Sequence, residues 1–76
     1  MPTMYYRTVF TLKEAGDQGR IHTRDSLTPS MELELAQNPA ALRMERDTLV
    51  ALALIREFPW FHRIERRDMG LIAVEE

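Results

Sequence analysis

The chain has 76 residues, ten Lys and Arg against twelve Asp and Glu, a net charge of −2 and no cysteine. That length holds one domain with a small core, which association would help to stabilise. The composition excludes disulfides and thiolate chemistry, gives no global field for nucleic acid or an anionic membrane, and contains no apolar run near the roughly 20 residues of a membrane span.

Met1–Tyr6 lacks the charged start and apolar middle of a signal peptide, so a cytoplasmic setting is expected. Met4–Lys13 alternates as a strand does. Met4, Tyr6, Thr8, Phe10 and Leu12 point one way, and Tyr5, Arg7, Val9 and Thr11 the other. Ala15–Gly19 is a polar turn with two glycines, and Arg20–Arg24 is expected to return as a second strand with Ile21 and Thr23 on one face. The next segment carries two signals. Thr28 followed by Pro29 resembles a helix start, whereas Met31–Leu35 alternates strictly. Leucine and glutamate form helices better than strands, so a short helix is expected there.

The longest element is a helix from Pro39 to Phe58. Asn38 suits the N-cap, Pro39 the first position, and Pro59 stops the run. At about 100° per residue, Ala40, Ala41, Met44, Thr48, Ala51, Leu52, Ile55 and Phe58 share a broad arc expected to face the core. Leu42, Leu49 and Ala53 form a second stripe, separated from the first by Glu45 and Arg56. Arg43, Arg46, Asp47 and Glu57 are expected to face solvent. Val50 and Leu54 sit among them, so either the Met31–Leu35 segment or another chain should cover that pair. After Pro59 and Trp60, Phe61–Arg66 and Leu71–Glu75 are expected to form a second hairpin, turning at Arg67–Gly70.

The assembled expectation is a single α+β domain over residues 1–76. It has an antiparallel sheet of about four strands in two hairpins, with one long helix and a short helical segment on one face. Its expected core is Phe10, Leu12, Ile21, Met44, Ala51, Leu52, Ile55, Phe58, Ile64, Ile72 and Val74. The far face of the sheet, with Arg7, His22 or Arg24, Arg63 and Glu65, is expected to be solvated.

Chemistry-bearing residues are sparse. His22 and His62 stand forty residues apart with no third ligand at metal spacing. Ser26 and Ser30 lack a glycine elbow or a nearby histidine. The three glycines are separate turn residues and make no phosphate-binding loop. Glu32 and Glu34 point apart on a helix and share a face only on a strand. No catalytic residue, metal or cofactor is therefore expected. Trp60, Arg63, Arg66 and Arg67, with Glu65 among them, combine stacking and basic groups, but Glu57, Glu65 and Asp68 nearly cancel the charge. The plain reading is a strand with a solvated, salt-bridged face; the functional reading is contact with a protein partner, because tryptophan and arginine are common anchors at protein interfaces. A small nucleic-acid-binding domain using the Arg/Trp surface is the alternative. Asp25, Glu32, Glu34, Glu75 and Glu76 would form an acidic face if the C-terminal strand lay beside the middle segment.

In size, mild acidity and layout over its whole length, the chain resembles the small inhibitor proteins of phages and mobile elements, the anti-CRISPR proteins among them. The resemblance is one of format. It implies a non-catalytic inhibitor whose partner is a large host nucleoprotein complex, and it transfers no site residue. The residues expected to meet a partner are Trp60, Arg63, Glu65, Arg66, Arg67, Glu32, Glu34, Val50 and Leu54, and a homodimer is among the expected states.

Overall fold

A computed structural model describes residues 1–75. Its elements are β1 (Pro2–Lys13), β2 (Ile21–Pro29), α1 (Ser30–Glu34), α2 (Pro39–Glu57) and β3 (Arg63–Glu75). The three strands form one antiparallel sheet in the order β2-β1-β3, with β1 hydrogen-bonded along both edges. The architecture is α+β as expected, with three strands instead of about four.

The missing strand has a local cause. Arg67–Gly70 does not turn the chain. Thr8 pairs with Asp68 and Arg7 with Gly70, which leaves Met69 unopposed as a bulge inside one long strand. Gly70 takes φ +73°, where a side chain would be strained, and its N–H donates to Asp68 Oδ1 at 2.8 Å. The Asp-Met-Gly sequence carries the same chemistry a hairpin turn would use. Here β1 is long enough to hold both halves in one ladder, so the residue that would have reversed the chain shifts its register instead.

The bulge also exchanges faces. Directly paired residues in an antiparallel ladder point to the same side. Ile64, Arg66 and Asp68 lie opposite Leu12, Phe10 and Thr8, whereas Ile72 lies opposite Tyr5 and Val74 opposite Thr3. Without the extra residue, period-two alternation would have put all five on one side. Ile72 and Val74, expected in the core beside Ile64, are therefore on the opposite face of the sheet.

The helix caps follow the sequence. Asn38 Oδ1 accepts the Ala41 N–H at 3.1 Å, Pro39 occupies the first turn, and the Phe58 N–H closes the other end on Leu54 O at 2.9 Å. Met31–Leu35 follows the helical alternative over Ser30–Glu34. Its N-cap is Pro29, and Thr28 is instead the buried penultimate residue of β2.

The core is Phe10, Leu12 and Leu54, with Val50, Ala51, Phe58, Trp60, Phe61 and Ile64 packed around them, and Leu33 is buried beneath α1. Ile55 is half-buried. Met44, Leu52 and Ile21, expected inside, are 68%, 47% and 66% exposed. The helix is thus rotated from the orientation its hydrophobic arc suggested. The side facing the sheet is Arg43, Asp47, Val50 and Leu54; Leu54 clusters with Phe10 and Leu12 of β1, and the half-buried Val50 packs against that cluster.

Candidate interaction surface

The rotation of α2 is explained by ion pairs. Asp47, only 5% exposed, accepts from Arg66 Nε at 2.8 Å and from Thr8 Oγ1 at 3.4 Å. Arg43 donates to Thr8 Oγ1 at 3.1 Å, to Arg7 O at 3.3 Å and to Asp68 Oδ1 at 2.9 Å, with its guanidinium 4.9 Å from the Tyr6 ring centroid. A buried charge without partners costs several kcal/mol, but one with two or three hydrogen bonds costs far less. The sheet supplies those partners from β1 and β3. Three of the four charged residues expected to mark the solvent side of the helix, Arg43, Asp47 and Glu57, instead fasten it to the sheet, whereas Arg46 is exposed as expected and pairs with Glu32 of α1. Asp68 is correspondingly acidic, its carboxyl held below the ordinary value first by the Gly70 N–H and then by Arg43.

His22 and Arg24, expected on the solvated face, lie on the helix side. Arg24 grips Glu57 in a two-pronged pair at 2.9 and 3.2 Å, which lowers the Glu57 pKa, and His22 stacks on Phe58 with ring centroids 4.1 Å apart. Trp60 is half-buried. Its ring lies 5.6 Å from Phe58 and under Arg20 at 4.8 Å, so its role is to close the end of the core.

Both helices lie on one side of the sheet, and the other side is uncovered. Along β1 that open face carries Tyr5, Arg7, Val9, Thr11 and Lys13. Beside them are Leu27, Asp25, Thr23 and Ile21 from β2, and Ile72, Arg67, Glu65 and Arg63 from β3. Its apolar residues are Leu27, which is 44% exposed, and the half-buried Tyr5, Val9, Ile72 and Val74. Charges interleave with them: Arg7 lies between Tyr5 and Val9 on the central strand and pairs with Asp25 at 3.0 Å, and Lys13 and Arg63 both meet Glu65, at 3.4 and 3.0 Å. Arg67, opposite Val9, is exposed and has no hydrogen bond or ion pair among the described residues. Accessible aliphatic and aromatic groups beside a free arginine are common components of a protein-binding patch.

The fold divides the expected partner-binding residues. Arg63, Glu65 and Arg67 meet on the open face. Arg66 is turned to the other side, onto Asp47. Glu32 is paired with Arg46 at 2.6 Å, and Glu34 is exposed beside a shallow cleft of about 300 Å³ lined by Tyr6, Leu33, Pro39, Ala40 and Arg43. Val50 is half-buried, and Leu54 is inside. The expected acidic face is not assembled, because β1 separates β3 from β2 and Asp25 is held by Arg7 on the open side; Glu76 lies outside the described residues. The residues sequence reasoning passed over are Leu27, Ile72 and Val74 as surface groups. The available signal was in β1, where Tyr5 and Val9 put apolar side chains on the face assigned to solvent.

Among the described residues no group of three His, Asp or Glu side chains is placed to hold a metal, and no helix is long and apolar enough to cross a membrane. No family model, characterised protein or solved structure matches the chain.

Proposed function

We propose that this chain is a non-catalytic protein-binding module that docks its partner on the open face of the sheet. The observation that carries this reading is the one-sided helix layer, which leaves Tyr5, Val9, Leu27, Ile72 and Val74 without a covering layer, among Arg7, Asp25 and Arg67. A small domain whose core has only a few fully buried side chains leaves apolar area in water where a partner can use it. The finer reading follows from the format of the chain. It acts in the cytoplasm as an inhibitor of a host nucleoprotein complex, in the manner of anti-CRISPR proteins, and uses no cofactor.

The test has two arms. Cross-linking in the native host, followed by identification of the attached chain, is expected to recover one partner with the wild type and to lose it with Leu27→Asp or Arg67→Glu. Purified RNA-guided interference complexes are then expected to lose target binding or cleavage when the wild-type chain is added. A partner retained by both variants would overturn the docking face. Interference complexes left fully active would overturn the inhibitor reading and leave the docking face standing. Direct nucleic-acid binding has less support, since Arg66 is committed to Asp47 and Glu65 lies between Lys13 and Arg63. Oligonucleotide binding with a steep salt dependence would favour that alternative.

A further inference from the structure

The outward side of α2 has a pattern that neither the core nor the open sheet face uses. Glu45, Leu49, Leu52 and Arg56 fall within about 60° of one another on the side of the helix opposite Leu54. All four are exposed, Leu49 by 59% and Leu52 by 47%. Glu45 and Arg56 have no hydrogen bond or ion pair among the described residues, although most other charges of the chain are paired. The spacing along the stripe is four, three, four, which reads the same in either direction, while the end charges are of opposite sign.

We infer that this stripe is the contact surface for a second copy of the chain, with the two α2 helices packed antiparallel about a two-fold axis between Val50 and Ala51. That register sets Leu49 against the partner's Leu52 and Leu52 against the partner's Leu49, a four-leucine centre. It sets Glu45 against the partner's Arg56 and Arg56 against the partner's Glu45, one ion pair at each end. Thr48 and Ala53 flank the seam, about 70° to either side of its midline. Both are small, so the helices can approach closely. The four-three-four spacing is that of a helix-pair seam, and a two-fold axis requires a self-complementary surface. In a parallel arrangement Glu45 would face Glu45 and Arg56 would face Arg56, so the unpaired charges select the antiparallel one. The contact is a single helix pair, smaller than a standard stable interface, and the dimer is accordingly one of moderate affinity. This inference does not depend on the open-face reading, because the two surfaces are on opposite sides of the molecule.

Sedimentation of the full chain tests it. The wild type should move from 8.9 kDa to twice that mass as its concentration is raised. Glu45→Arg and Arg56→Glu should each weaken dimerisation by about tenfold or more, because each places two like-charged pairs at the seam. The double exchange Glu45→Arg with Arg56→Glu should restore it, an outcome specific to this register. Circular dichroism should be unchanged in all three, since both positions are on the surface. In mild oxidant, a mixture of Glu45→Cys and Arg56→Cys chains should cross-link. Each alone should not, because like positions are about 16 Å apart along the axis. A wild type that remains at 8.9 kDa up to about 1 mM overturns the inference. So does a dimer indifferent to both single reversals, or one not restored by the exchange.

Discussion

The two sides of α2 reverse the usual expectation. The side against the sheet carries Asp47 and Arg43, and the side toward water carries Leu49 and Leu52. Burial on this helix follows the partners available. Asp47 is inside because Thr8 and Arg66 satisfy its carboxylate, and Arg43 because Asp68, Thr8 and the Arg7 carbonyl satisfy its guanidinium. Val50 and Leu54 lie on the same side and supply the apolar packing. Where the sheet holds matching groups, a stripe of mixed charge and aliphatic residues packs inward, and only part of the apolar arc, Ala51 and Phe58, packs beside it.

The largest break in this comparison should come from its apolar anchor. Leu54→Ala removes a fully buried side chain from the Phe10–Leu12 cluster and should cost about 2–5 kcal/mol in chemical denaturation. Next is Asp47→Ala, which leaves Arg66 and Thr8 facing an apolar contact. The expected loss is about 2–3 kcal/mol, below that of a fully buried pair because Arg66 is partly exposed. If matched partners are what hold the charged side inward, Asp47→Leu with Arg66→Met should recover at least half of that loss. A double variant no better than Asp47→Ala would show that the network itself is required.

The bulge is the next element in size. Gly70→Ala meets no atom in the space around it, so the expected loss of about 1 kcal/mol reports the positive φ alone. Acid should then weaken the same joint. The folded pKa of Asp68 is depressed by the Gly70 N–H and Arg43, and those of Glu57 and Glu14 by Arg24 and Arg20. Their contribution is present above the unfolded values near about 4 and is lost as the pH falls through the lower folded values. Thermal unfolding should be flat from neutral pH down to about 5 and should fall below about 4. Asp68→Asn should flatten part of that fall. The smallest effect belongs to the outer side of α2. Leu52→Ser, measured on dilute monomer, should change stability by no more than about 0.5 kcal/mol.

Much of the fold was legible in the sequence. Alternation in Met4–Lys13 and the Asn38-Pro39 and Phe58-Pro59 boundaries are local signals, and the caps they name are present with the expected hydrogen bonds. The candidate surface was legible only in part. Arg63, Glu65 and Arg67 were singled out and meet on one face, but Arg66, from the same run, turns away because neighbouring strand residues point to opposite sides. Ile72 and Val74 were placed on the wrong side because Asp68-Met69-Gly70 reads equally well as a turn or a bulge, and only the length of β1 selects between them.

By itself, then, the sequence determined what depends on near neighbours: the α+β class, the start and stop of the long helix and the identity of Phe10 and Leu12 as core, while Met31–Leu35 stayed open between helix and strand. The tertiary structure alone decided which side of α2 is inside, which face of the sheet receives Ile72 and Val74, and which charges remain unpaired. Those outcomes depend on groups far apart in the chain. Thr8 and Asp47 are thirty-nine residues apart, and Asp47 and Arg66 nineteen. A helical wheel sorts residues by polarity, whereas burial depends on whether a distant strand brings a matching hydrogen-bond partner to the same place.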